Sequence, residues 1–363
     1  MSQDLRGALV GFCNPLLDIS AVVGDDLLEE YKLKANDAIM ASPEHLPLFQ
    51  TLMDKYNAKL LPGGSAQNTL RGAQLLLPSG SAVFFGAVGA DENAARLKKA
   101  ADKANLRTNY MVNKDKPTGT CALLITGHNR SMVANLSAAE TYSFEHVKDP
   151  ENWKDIEAAR FYYITGFFFA VSPDTIQAVA QHSLVQGKTF TMNLSAPFVA
   201  QFFTELVNKT LPYIDILFGN ETEAIALAEG LKWAPEGATL GADDVKWIAK
   251  RAADLPTLSG KPRVVVFTQG ALETVVATSD TEGVRVYPVT KVPDSEVGDT
   301  NGAGDAFVAA FLAEYMQGKS LDVSVEAGHW LGGQVVRQIG PNYPEGELKF
   351  TPSASFAPVV EKV

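Results

Sequence analysis

Hydrophobic positions along the chain fall into two alternating kinds of run. Short, almost continuously apolar stretches occur at Ala82 to Val88, Phe161 to Ile164, Lys188 to Leu194, Asp215 to Phe218 and Val264 to Phe267, as expected of strands buried on both faces. Between them lie longer stretches of helical character: Glu92 to Ala104, Pro173 to Val185 behind Ser172 as a cap, Glu221 to Ala228 and Asp243 to Ala253. Ala306 to Leu312 and Val323 to Arg337 read as further helices. The alternation predicts an α/β fold with a mainly parallel central sheet and helices on both faces.

A second set of segments has a different character. Leu16 to Val23, Ala38 to Ala41, Lys59 to Leu61, Cys121 to Thr126 and Met132 to Asn135 read as short strands joined by turn-rich connections. They come from separate parts of the chain, so they predict a small discontinuous lid domain made of 16–64 and 118–139. The large domain is then 1–15, 65–117 and 140–363. Hinges are expected near Asn14-Pro15, Gly63-Gly64, Thr118-Gly119 and Ser137.

With 363 residues, 46% of them hydrophobic, the chain can bury one large core and carry such an appendage. Its net charge of -11, with no offsetting Lys/Arg run, argues against a general nucleic-acid or anionic-membrane surface, so any phosphate must be held locally. The two cysteines, Cys13 and Cys121, are too few for a disulfide framework or a Cys-rich zinc site and are expected to be small buried residues. No apolar run approaches a membrane span, and the expectation is a soluble intracellular protein.

The stretch Asp299-Thr300-Asn301-Gly302-Ala303-Gly304-Asp305 carries the most chemistry, because it precedes an apolar helix. Its glycines let a ligand approach the backbone, and the first N–H groups of a helix have no intrahelical partner, so they can cradle negative charge. An aspartate at that position competes with a bound phosphate. It suggests a base beside a reacting phosphoryl group, the plainer alternative being an acid that merely favours the helix dipole.

That string resembles the C-terminal signature of the ribokinase-like (PfkB) carbohydrate and nucleoside kinases. Pro62-Gly63-Gly64-Ser65-Ala66-Gln67-Asn68 is similar to the family's sugar-gripping element, and Asn220-Glu221-Thr222-Glu223 reproduces its Asn-x-x-Glu. Asn14-Pro15-Leu16-Leu17-Asp18, Pro117-Thr118-Gly119-Thr120, Asn129-Arg130-Ser131, Asn193-Leu194-Ser195-Ala196-Pro197-Phe198 and Phe267-Thr268-Gln269-Gly270 resemble its adenosine-phosphorylating branch, and the likeness covers nearly the whole chain. Cys13 departs from the pattern, where glycine is expected before Asn-Pro, and Pro235 to Asp243 looks like a variable insertion.

The resemblance implies ATP-dependent phosphorylation of the adenosine 5'-hydroxyl, with Mg2+ accompanying ATP. Adenosine and ATP are then the partners of a cytoplasmic monomer, with the nucleus left open as a second compartment. Asp305 would abstract the hydroxyl proton, the backbone of Gly302, Ala303 and Gly304 would hold the transferred phosphoryl, and Arg130 would be the lid arginine spanning phosphate oxygens. Asp18 would take both vicinal ribose hydroxyls, helped by Asn14, Gly63, Gly64, Ser65 and Asn68. Phe168 and Phe198 are candidates to pack on the purine with Met40, Cys121, Met132, Ala134 and Leu136, although Phe167 to Phe169 leave the register open. Asn193, Asn220, Thr268, Gly270 and His329 are assigned to the ATP side, Asn301 to the acceptor side, and Glu223 to the metal through water. Read without the resemblance, Asn220 and Glu223 are equally a helix cap with an exposed acid, and Gly63-Gly64 a hinge.

Other nucleotide chemistries fit poorly. Gly187-Lys188-Thr189 and Gly318-Lys319-Ser320 lack the first P-loop glycine, having His182 and Ala313 there, and Gly302-Ala303-Gly304 lacks the third dinucleotide-fingerprint glycine, having Phe307. The remaining alternatives are a kinase for another purine nucleoside or a sugar, and a non-catalytic nucleoside-binding protein on the same fold.

Overall fold

The computed structural model describes residues 4–35, 37–127, 129–235 and 237–363. Among these, the predicted apolar runs lie side by side in one ten-stranded sheet. Arg107–Asn113, Ala82–Gly89, Leu9–Phe12, Phe161–Thr165, Thr189–Asn193, Ile216–Asn220 and Val264–Thr268 run parallel in that order. Thr274–Thr278, Val284–Tyr287 and Val359–Glu361 extend one edge antiparallel. The parallel strands Ala82–Gly89 and Ile216–Asn220 are buried on both faces almost throughout, which is why they read as unbroken apolar runs; Leu9–Phe12 is as buried. Helices close both faces over two apolar clusters, one around Phe12, Phe168 and Leu217, the other around Leu70, Phe218 and Phe311. No helix among the described residues is long and apolar enough to cross a membrane.

The second set of segments also pairs as expected. Ala38–Met40, Asn129–Asn135, Thr120–Thr126, Leu17–Val22 and Lys59–Pro62 form a separate five-stranded sheet in that order. One face packs against helices Asp25–Glu30 and Leu46–Lys55 through Ile19, Leu27, Leu48, Leu52, Leu124 and Val133. The chain leaves the large sheet after Phe12 and again after Asn113, both at carboxyl ends of parallel strands, so the small sheet sits over the edge where open α/β sheets bind ligands. Its root is anchored: Thr118 is buried, its hydroxyl donates to Asp91 Oδ1 at 2.6 Å and accepts from the Gly89 backbone N–H at 3.0 Å. Ser137, at another expected hinge, has a positive φ of 46° and donates to the Pro117 carbonyl at 2.8 Å.

Ser172 precedes helix Pro173–Val185 as expected, but its hydroxyl pairs with Thr175 Oγ1 at 2.7 Å and makes no cap bond to a backbone N–H. A second feature gave no sequence signal. Arg263, fully buried, donates to the carbonyls of Ile214, Ala252, Leu255, Leu211 and Pro256 at 2.6 to 3.4 Å. It thereby ties two stretches, 211–214 and 252–256, to the strand Val264–Thr268. Arg263→Met removes every one of these donors without restoring water to the carbonyls, so it is expected to lower stability by about 3 kcal/mol. Thermal unfolding of the two proteins side by side is the check, and an unchanged melting temperature would remove Arg263 from this role.

Candidate active site

Two helices bring their N-terminal ends together below the small sheet. Ser65–Leu76 begins after Gly64 and Ala303–Met316 after Gly302, and the two pack against each other. Close approach is possible because Gly72 has no side chain: a Cβ there would lie 2.8 Å from Ala309 Cβ and 2.4 Å from the Tyr343 hydroxyl. Gly302 has a φ of 80°, and a Cβ on it would strike Pro341. A Cβ on Gly304 would meet nothing within 4 Å, so packing does not require glycine there, whereas access of a ligand to the helix N-terminus does.

Asp305 lies in the first turn of its helix and is held from the other one. Ser65 Oγ donates to Oδ1 at 2.7 Å and Asn68 Nδ2 to Oδ2 at 3.0 Å. Asp305, Asn14, Asp18, Gly64, Ser65 and Asn68 all face one cavity of about 640 Å3 that runs between the two sheets. At one end Met40, Cys121, Met132, Ala134 and Leu136 of the small sheet and its exit form an apolar wall, with Phe198 opposite. At the other end the cavity is lined by Asn193, Asn220, Thr268, Gly270 and His329, which stand mostly on or after carboxyl ends of parallel strands, while Asn301 lies beside Asp18.

Two assignments change. Phe168 does not face the cavity: it is fully buried, its ring 5.3 Å from Tyr142 and 6.1 Å from Phe12. Residues Gly166–Ala170 form a 3-10 turn that directs Phe168 into the core and leaves Phe167 on the cavity wall, 5.9 Å from Phe198. Gly63 does not line the cavity either. A Cβ there would lie 2.2 Å from Asp18 Oδ1, so its glycine makes room for that carboxyl. Gly64 meets the requirement of a turn, with a φ of 89° and no space for a Cβ beside the Asn14 carbonyl.

Arg130 reaches down from the small sheet. Its Nε donates to Asp299 Oδ1 and its Nη1 to Thr300 Oγ1 at 2.8 Å, which places the guanidinium at the start of the glycine loop. Asp299 also accepts from the backbone N–H groups of Asn301 at 2.7 Å and Gly340 at 2.9 Å. On the far side, Asn220 and Glu223 form a reciprocal capping box, the Asn220 side chain accepting from Glu223 N at 2.9 Å and Glu223 Oε2 accepting from Asn220 N at 3.0 Å. The cap and the cavity roles are compatible, since Glu223 is buried, lines the cavity and uses only one oxygen in the cap. Among the described residues no three His, Cys, Asp or Glu side chains cluster as a metal cage.

Comparison with known proteins agrees with this geometry. The family model of the pfkB family carbohydrate kinases matches residues 26–347. Adenosine kinase 1 of Arabidopsis thaliana is 43% identical over 346 residues, covering 95% of this chain and 98% of that protein. The chain belongs to the PfkB carbohydrate kinase family. An Anopheles gambiae adenosine kinase solved with P1,P4-di(adenosine-5) tetraphosphate superposes with a TM-score of 0.89 at 43% identity, covering 94% of this chain and 99% of that one. A Schistosoma mansoni adenosine kinase solved with adenosine and AMP gives 0.85 at 30% identity, covering 94% and 98%.

Buried acids dominate the electrostatics of this PfkB site. Desolvation, with Asp305 nearby, pushes Asp18 up to about 8, partly offset by Asn301 and Arg71. Desolvation also raises Asp305 to about 6, against the bonds from Ser65 and Asn68 and the charge of Arg71, and raises Glu223 to about 7 against hydrogen bonds from the Asn220 and Ser195 backbone. At the opposite end burial lowers His329 to about 4, so the ring is neutral; its Nε2 lies 2.8 Å from Thr274 Oγ1 and its Nδ1 has no partner. Arg71 and Tyr343 carried no sequence flag. For Arg71 a signal existed, since it lies three residues after Asn68 on one helix face.

A raised acid pKa means that the folded protein holds the proton more tightly than the unfolded chain. For Asp18 the associated stability is fully present below the ordinary 3.8 and is lost as the pH rises through about 8. Asp18→Asn removes that loss. Thermal melts across this range should therefore fall with rising pH in the wild type and fall less in Asp18→Asn; parallel curves would contradict the burial of a strained carboxyl.

Proposed function

We propose that this chain transfers the γ-phosphoryl group of ATP to the 5'-hydroxyl of adenosine, giving AMP and ADP. The observation that carries this reading is the Asp305 carboxylate, held by Ser65 and Asn68 at a glycine-opened helix N-terminus between the two ends of one cavity. A relative solved with two adenosines joined by four phosphates supports placing acceptor and donor at opposite ends of such a cavity. Adenosine occupies the end walled by the small sheet, with its purine against Phe167 and Phe198 and its ribose hydroxyls on Asp18.

Asp305 then faces the 5'-hydroxyl and takes its proton. With a pKa of about 6 it is mostly ionised at neutral pH, yet basic enough to share the proton in the transition state. The N–H groups of Gly302, Gly304 and Asp305 hold charge that develops on the phosphoryl group, and because that transition state is loose, positioning and electrostatics carry more of the rate than the base. Mg2+ supplied with ATP would neutralise phosphate oxygens, and Glu223 is the residue that would hold it, through water. Arg130 adds a cation once phosphates compete with Asp299 for it. All these groups come from one chain, which supports action as a monomer.

Asp305→Asn keeps the shape and loses the base. Turnover of adenosine should fall by roughly 10²- to 10⁴-fold while direct titration shows near-normal adenosine binding. Near-normal turnover would take Asp305 out of this role. In the same assay ribose and fructose should be much poorer acceptors, because they leave the Phe167–Phe198 wall empty; efficient phosphorylation of a bare sugar would move the substrate assignment elsewhere in the family.

The small sheet acts as a lid that closes on adenosine and excludes water, a competing phosphoryl acceptor. Its anchored root at Thr118 and its contact through Arg130 with Asp299 support this reading. Hydrogen exchange across Leu17–Val22 and Thr120–Thr126 should slow when adenosine is added. Equal exchange with and without the nucleoside would argue for a rigid wall.

A further inference from the structure

Beneath the Asp305 carboxylate lies a buried cation that the reaction as derived so far does not use. Arg71 sits on the helix Ser65–Leu76, is only 7% exposed, and its Nε has no hydrogen-bond partner. Its Nη1 donates to Asn68 Oδ1 at 3.2 Å, and Asn68 Nδ2 donates onward to Asp305 Oδ2 at 3.0 Å. The guanidinium carbon lies 5.8 Å from the centre of the Tyr343 ring, whose hydroxyl donates to the Asn68 backbone carbonyl at 2.8 Å. A cation has been buried where a neutral residue would be cheaper to desolvate, and its one directional bond ends on the amide that holds the base.

We propose that Arg71 is a positioning residue for phosphoryl transfer: through the Asn68 amide its guanidinium fixes the orientation of the Asp305 carboxylate and favours its ionised form. This rests on the reading of Asp305 as the base.

Two physical effects combine. An amide has an oxygen that only accepts and an NH2 that only donates, and a half-turn exchanges them. With a guanidinium N–H fixed on the oxygen, the NH2 must face Asp305; without it, a flipped Asn68 would turn an acceptor toward a carboxylate. The second effect is charge. Arg71 lowers the proton affinity of both Asp305 and Asp18, opposing desolvation. The other titratable groups acting on this pair are Asp299 and Cys121 on Asp18, the thiol kept neutral by burial, and Glu223, Tyr163, Tyr343 and Cys13 around Asp305. Burial raises the tyrosines and Cys13, so they stay neutral near pH 7, and among these groups Arg71 alone is cationic.

Single-turnover transfer from ATP to saturating adenosine, followed from acid to mildly alkaline pH, tests this in the full chain. In Arg71→Met the acid limb of the rate should move to higher pH by about one unit, as expected when a cation is removed from a carboxylate. In Arg71→Lys, which keeps the charge, the limb should stay near its original position. Adenosine affinity, measured by titration at one pH, should change less than the rate. An unmoved limb in folded Arg71→Met, or an equal shift in Arg71→Lys, would overturn the proposal even if the rate falls. Should Arg71→Met not fold, Arg71→Gln, which keeps a donor for Asn68 but no charge, carries the same expectation and the same refutation. The Asp305→Asn variant separates the two levels: an active Asp305→Asn removes the base itself, whereas an inactive one beside an unmoved limb in Arg71→Met removes only the part given to Arg71.

Discussion

Carboxylates held out of water between two sheets are the constraint on which the rest of this structure depends. Asp18, Asp305 and Glu223 each have a raised pKa, and desolvation is the leading cause in every case. Such groups persist only where donors and positive charge replace the lost water. The two converging helix N-termini, the Ser65 and Asn68 side chains, the Asn220–Glu223 cap and the buried Arg71 are that replacement. Their arrangement depends in turn on helix contact at Gly72, where any side chain would push Tyr343 and Ala309 away and open the seam.

The two sheets contribute different physics to the cavity. The large sheet provides rigid strand ends, so Asn193, Asn220 and Thr268 hold fixed positions along its carboxyl edge. The small sheet has its own core around Leu48, Leu52 and Val133 and is joined to the large one through connections anchored at Thr118. Most of the apolar wall belongs to the small sheet, and most charge-holding residues to the large one. Asp18 and Arg130 are the exceptions: Asp18 lies on the small-sheet strand Leu17–Val22, and Arg130 brings a cation from the small sheet onto Asp299, so the position of that sheet and the charge at the glycine loop are coupled.

Much of the parallel sheet could be read from the chain because strands buried on both faces leave unbroken apolar runs. Leu9–Phe12 is as buried as any of them, but it is only four residues long and gave no separable period. Arg107–Asn113 failed to register for another reason: it is an edge strand with polar positions facing outward. At the site, Asn14, Asp18, Ser65 and Asn68 stand in compact strings that the resemblance to a kinase family picked out, Asp305 was legible from its glycine loop and helix alone, and all five line one cavity. Phe168 was misassigned because three adjacent phenylalanines offer no local signal of which one a 3-10 turn directs outward. Arg71 and Tyr343 act through residues rather than on ligand, and such residues have no motif.

The proton balance of the proposed reaction follows from the same burial. In the empty cavity Asp18, at about 8, is largely protonated near neutral pH, so the pair Asp18 and Asp305 does not carry two full charges. A ribose diol that donates two hydrogen bonds favours the ionised Asp18, and the proton leaves when the acceptor binds. The new charge acts on Asp305 as Asp305 acts on Asp18, since Coulomb interaction is reciprocal, and it raises the proton affinity of the base. The base is therefore strongest when the sugar whose hydroxyl it must deprotonate is in place. A base tuned too high would stay protonated, and Arg71, which lowers the proton affinity of both carboxyls, limits how far that rise can go.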